Sequence, residues 1–207
     1  MELSLISLAN DIGGKGWSYI LEAIFFLLVI AAPIISAKNR TRYFFYTFWS
    51  IVGLFLLRAI ALTYLLYVFW SKSAPGIYFL PPYQPIAYVV GYSFFHFYFS
   101  FLLGLGIISI VSLCFFLFNK YRGYALQEGD IALYACCAMI VRWPLMVPYT
   151  LTALVAAALF VVVRGYILNG SRVVLLAPSL LAMAIPFLFL SVMMLDMFHL
   201  RALLLPL

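Results

Sequence analysis

The sequence predicts an all-α, polytopic integral membrane bundle of about six transmembrane helices with the N-terminus outside. Three observations predict it. Of the 207 residues, 68% are hydrophobic and 9% charged, far from the balance of a water-soluble domain. The apolar residues gather into stretches near the roughly 20 residues that a helix needs to cross a bilayer. The basic residues between those stretches fall mostly on one side, as the positive-inside rule requires. One transmembrane domain, 1–207, accounts for the whole length, since no connecting stretch is long enough to bury a core of its own.

The first predicted span is 17–37, closed by Lys38-Asn39-Arg40-Thr41-Arg42. The residues before it carry no basic n-region, so the opening reads as an outer segment and not as a secretory signal. The second span is 43–70. A turn-rich segment containing Pro75-Gly76 and Pro81-Pro82 follows, where proline withholds donors and breaks helix. The third span, 86–118, would be about 50 Å long if fully helical, so it tilts or protrudes. The region 131–168 reads either as one overlong helix or as a hairpin, 131–147 and 149–167, turning at Arg142-Trp143-Pro144. The expected turn runs from Arg142 to Pro148, and the hairpin keeps Lys38, Arg40, Arg42, Lys120, Arg122, Arg164 and Arg172 together, which favours it. The last span is 173–195. Trp17, Trp70 and Trp143 then fall at outer span ends, the depth that indole prefers.

The net charge of +6 follows from this orientation and gives no reason to expect a nucleic-acid partner. Cys114, Cys136 and Cys137 all lie inside spans and read as small packing residues. Gly104, Gly106 and the alanines of 153–158 offer surfaces for close helix contact. With 20 Phe and 15 Tyr, the helices carry aromatic faces suited to the lipid bilayer and to other membrane subunits.

Ionisable groups inside a membrane are costly and therefore mark candidate sites. They are Glu22, Arg58, His96, Arg142 and Asp196. Glu22 and Arg58 are placed to pair between the first two spans if Arg58 extends toward the outer face. His96 and His199 share the outer leaflet, the placement that axial haem ligands on two helices would require. The simpler reading is a hydrogen-bonded core histidine and an interfacial one, so no cofactor and no metal is expected. Asp196, His199 and Arg201 are spaced to bond along one helix as a C-terminal anchor.

The segment Gln127-Glu128-Gly129-Asp130-Ile131-Ala132 resembles the G-x-G-D motif of prepilin-peptidase-type membrane aspartyl proteases. The likeness extends over about 127–190: a helical hairpin follows Asp130, and Ala177-Pro178 opens the last helix. The resemblance implies a cytoplasmic Asp130 acting with a second aspartate that follows an early helix. Catalysis by such a pair needs two carboxylates sharing one proton. The matching stretch, Ser36 to Arg42, contains no acid, and Gln127 stands where the family has its first glycine. Asp196 belongs at the opposite face, about 30 Å away. Asp130 is therefore expected to cap the fourth helix, where an acid meets free N–H groups and the helix dipole.

The expected function is a non-catalytic integral subunit of a larger membrane complex, of the secretion, conjugation, respiratory or transport kind, in a bacterial or organellar inner membrane. The alternatives are a degenerate or active prepilin-peptidase-like protease, and a small transporter or haem-bearing electron carrier.

Overall fold

A computed structural model describes residues 20, 23–25, 27, 28, 31, 37–122, 129–167, 176–190, 193, 194 and 197. Every regular element among them is helical. Six α-helices follow in order: α1 Ala37–Lys72, α2 Ile86–Ser93, α3 Phe99–Arg122, α4 Asp130–Val141, α5 Met146–Ile167 and α6 Leu176–Phe189. A 3-10 turn, Gly76–Phe79, follows α1, and a π-helical turn, Phe94–Tyr98, joins α2 to α3 without a break. Two continuous stretches, Asn39–Lys72 and Ile86–Tyr121, are long and apolar enough to cross a membrane.

Helix α1 begins earlier than the expected 43. The basic run from Lys38 to Arg42 is helical, because lysine and arginine are good helix formers and nothing in the run breaks the ladder. At 36 residues α1 is about 54 Å long. It turns one face inward, with Phe44, Ile51, Phe55 and Ala59 buried at the spacing of a single helical stripe. The opposite face leaves Phe45, Trp49, Leu57 and Tyr64 exposed.

The region 131–168 is divided, as a hairpin is, with the break inside the expected turn at Arg142–Pro148 but with different helix ends. Helix α4 ends at Val141, six residues short of the expected 147, and α5 starts at Met146, three before the expected 149. Pro144 has no N–H to continue α4, and Arg142 has left helical space with φ 67° and ψ 163°. Pro148 fits inside α5 because it lies in the first turn, where an N–H has no intrahelical acceptor anyway. The two arms fold back on each other. The Tyr134 hydroxyl meets Thr150 Oγ1 at 3.0 Å, and Thr150 in turn donates to the Met146 carbonyl at 2.7 Å, so Tyr134 is the donor between the arms.

Helix α4 is the centre of the molecule. Its 12 residues rise only about 18 Å, against the 30 Å or so of a bilayer's hydrocarbon. They are surrounded by α1, α3, α5 and α6. Cys136 donates its S–H to the Phe44 carbonyl of α1 at 3.2 Å. Tyr134 meets Phe115 of α3 edge-on at 5.2 Å. Tyr149 of α5 donates to the Leu180 carbonyl of α6 at 3.1 Å and packs against Phe187 at 5.9 Å. Ala153 and Ala157 are buried along α5, the role expected of that small-residue run. Phe25 and Leu28, helical residues of the first predicted span, also join the core. Cys136 and Cys137 pack as expected, whereas Cys114 is exposed on α3.

Candidate functional site

The structure brings together two of the basic residues that the sequence placed inside spans and the described histidine. Arg58 of α1, His96 of the π-helical turn and Arg142 of the hairpin turn line one cavity of about 480 Å³. That volume lies in the range of small-molecule sites, which hold apolar walls and a few convergent polar groups. Phe55, Phe101 and Trp143 supply aromatic wall, and Ser100 adds a hydroxyl-bearing residue. The deep side is closed by Ala59, Gly104 and Met146, all buried.

Arg58 stands on the regular helix α1, whereas His96 and Arg142 are each delivered by a local irregularity of the backbone. His96 sits in a single π turn, Phe94–Tyr98, a device that shifts the register of side chains and recurs at functional sites. Its Nδ1 donates to the Tyr92 carbonyl at 2.9 Å, and its ring stacks on Tyr92 at 3.9 Å with 14° between the planes. Those contacts fix the ring and leave Nε2 as its remaining polar atom. Arg142 is the one non-glycine with positive φ among the described residues. Its φ/ψ region is nearly exclusive to glycine and costs about 1–3 kcal/mol elsewhere. The guanidinium lies over the Phe55 ring at 5.2 Å, a cation–π contact. It is also near enough to Arg58 for the two like charges to repel.

The same contact fixes the height of the hairpin turn. Beyond Phe55, α1 continues for another 17 residues to Lys72, about 26 Å further. The turn at Arg142 therefore lies within the depth of the bundle and not at its rim. Trp143, expected from sequence at an outer span end, lines the cavity and packs against the core.

The second candidate, Asp130, lies at the other end of α4 with a relative exposure of 0%. The N-cap is Gly129, with no side-chain capping bond, and Asp130 is the first helical residue. The expected capping role thus passes to the glycine, while the acid stays in the first turn where the dipole favours it. Gly129 has φ 91°, and a Cβ there would lie 3.1 Å from Arg40 Cγ. The start of α1 therefore rests against the start of α4, and Arg40 packs beside the Gly129-Asp130 corner. Glu22, Asp196, His199 and Arg201 lie outside the described residues, as does Trp17. Among the described residues, no three His, Cys, Asp or Glu side chains are grouped to hold a metal ion.

Sequence reasoning named Arg58, His96 and Arg142 one at a time and did not join them. The only signal that could have done so was the interruption at Arg142-Trp143-Pro144, had it been placed at mid-depth. Set against family models, characterised proteins and solved structures, the chain finds no match in any of the three.

Proposed function

We infer that this chain is a non-catalytic integral subunit of a larger membrane assembly. It is threaded as six membrane segments with the N-terminus outside, in a bacterial or organellar inner membrane. The observation that carries the reading is the outward face of α1. Phe45, Tyr46, Trp49, Tyr64 and Tyr67 are all more than 40% exposed, a run of large aromatic side chains, four of them with polar tips, of the kind enriched where proteins meet. Support for the threading comes from the contact of Gly129 with Arg40, which sets the basic start of α1 beside α4. Lys120 and Arg122 are joined to that corner by only six residues. The fold-back bond between Tyr134 and Thr150 returns α5, with Arg164 near its end, toward the same side.

Two experiments test the reading. Native mass spectrometry after mild extraction gives a complex with other chains; a monomer that retains a biochemical activity by itself overturns the assembly. Cysteines introduced as Thr41→Cys and Gly170→Cys react from the same side of sealed vesicles, and Ser73→Cys from the other. Labelling of positions 41 and 170 from opposite sides removes the threading.

A second reading, a degenerate relative of prepilin-peptidase-type proteases, is favoured by one observation. The segment 37–42, where the resemblance would put the first aspartate, lies against the corner that carries Asp130. It brings Arg40 and no acid, so a scaffold of this order would hold a cation where catalysis needs a second carboxylate. Asp130→Asn distinguishes the two. Loss of cleavage of a membrane substrate with insertion intact supports a peptidase; loss of thermal stability alone supports a structural aspartate.

A further inference from the structure

We propose that the cavity between α1, the π turn and the α4–α5 turn binds a single-chain lipid carboxylate, a fatty acid, with Arg142 holding the headgroup.

Arg142 carries the argument by itself. It is half-buried on a wall that is otherwise mostly aromatic and aliphatic. Among the described residues, its one attractive side-chain contact is the face of Phe55. A ring face attracts a cation but gives its N–H groups no oxygen to bond. A carboxylate supplies what the ring lacks, one negative charge and two oxygens at the spacing of the guanidinium fork. The backbone agrees. At φ 67° and ψ 163° glycine would stand without strain, yet an arginine stands there, and strain kept together with a charge at a cavity wall is a mark of function. Arg58 also reaches this cavity and has an interaction of its own within the protein, so the headgroup is assigned to Arg142 alone. His96 is a wall residue here, since its Nδ1–H is bonded to the Tyr92 carbonyl and the neutral ring presents Nε2 as an acceptor.

The rest of the lining fits a hydrocarbon chain. Leu62, Phe97, Phe101 and Met139 add apolar wall. Leu62 of α1 and Phe97 of the π turn are half-buried, whereas Ala59, Gly104 and Met146 on the deep side are buried. Nearby on the π turn and α3, Phe95, Phe99 and Leu102 are exposed. A chain can lie along such a surface while its carboxylate enters; a small free carboxylate would have to give up its water to do the same. A volume of about 480 Å³ takes a small headgroup and the near end of one chain. This site does not depend on the assembly reading, since it requires only that lipid surrounds the helices.

The test uses the full chain in phosphatidylcholine nanodiscs doped with oleic acid, or with oleyl alcohol as its uncharged counterpart, at a pH where the acid is ionised. Native mass spectrometry counts the lipid retained. Wild type retains oleate in preference to the alcohol. Arg142→Gly removes the charge without straining the backbone and weakens oleate retention roughly tenfold or more, the scale of a lost charge-assisted contact. Gly104→Leu keeps every charge but fills the cavity, and it weakens retention as well. A Cβ at Gly104 meets only Met146, at 3.8 Å, so the first atom of that side chain is accommodated. Arg42→Gln removes an exposed cation near the start of α1 and leaves retention unchanged. Equal retention of oleate and oleyl alcohol by wild type overturns the proposal, as does equal loss in Arg142→Gly and Arg42→Gln. Undiminished retention by Gly104→Leu places the oleate outside the cavity and overturns it too. Acetate that raises the melting temperature in pure phosphatidylcholine, without preferential oleate retention, assigns the cavity to a free carboxylate and has the same consequence.

Discussion

Helices α1 and α4 are built from similar apolar residues and occupy opposite surroundings. In the apolar window of α1 only 17% of the residues are buried within the protein, while nine of the 12 residues of α4 are buried, among them an aspartate and a tyrosine. The long helix is in contact with whatever surrounds the molecule, and the short one is in contact only with its neighbours. The difference shows that an apolar composition reports what a helix avoids, which is water, and says nothing of what replaces it. Lipid and protein satisfy a leucine equally well. They differ for polar groups, which is why α4 and its neighbours contain the ordered Tyr134–Thr150, Tyr149–Leu180 and Cys136–Phe44 bonds.

The sharpest way to break this contrast is to delete the same atoms in both places. Leu133, 1% exposed, and Leu57, 65% exposed, differ in whether protein surrounds them. Leu133→Ala lowers unfolding free energy by about 2–5 kcal/mol through the cavity it leaves. Leu57→Ala changes it by less than about 0.5 kcal/mol. Denaturant titration in a fixed detergent measures both, and equal losses would mean that α4 is not the centre of the packing.

Next in size is the corner where the two helices meet. Gly129→Ala places a Cβ against Arg40 at positive φ, costing about 1–3 kcal/mol in the same titration. An unchanged midpoint would show that α1 does not rest on α4.

At the opposite end of α4, Arg142→Gly is at least as stable as Arg142→Ala, the reverse of the usual order, because glycine relieves a strained φ/ψ pair worth about 1 kcal/mol or more. Melting temperatures of the two variants decide it. Finding alanine more stable would remove the strain and, with it, one support for the cavity as a site.

The smallest effect is Tyr134→Phe, which gives up one buried hydrogen bond to Thr150 and costs about 0.5–1.5 kcal/mol. Thr150→Val should lose a similar amount. The double variant loses less than the sum of the two, because the single variants delete the same bond.

How legible these features were from sequence differs by element. The stretches 43–70 and 86–118 were readable because their apolar runs are long and end in charge, and both lie within the helices found. Helix α4 was readable as a segment but not in its length. Apolar residues stand on both sides of Arg142-Trp143-Pro144, so the sequence marked a turn there, and the backbone at Arg142 shows which residue ends the helix. The site was legible residue by residue. Arg58, His96 and Arg142 each stood out as a polar group in an apolar stretch, yet they are 38 and 46 positions apart in sequence and no spacing rule joins them.

The sequence by itself determined that the chain is helical, that long apolar helices dominate it, and that its basic residues cluster at segment ends. These follow from composition and from the free-energy cost of taking a charge or an unbonded peptide group out of water, both of which are local. The tertiary structure alone decided that a twelve-residue helix lies in the middle, that its terminal turn stops within the bundle, and that two arginines share one cavity. Those outcomes depend on which faces pack together, and side chains that look alike to a hydrophobic solvent become distinguishable only through shape and hydrogen bonding at contact.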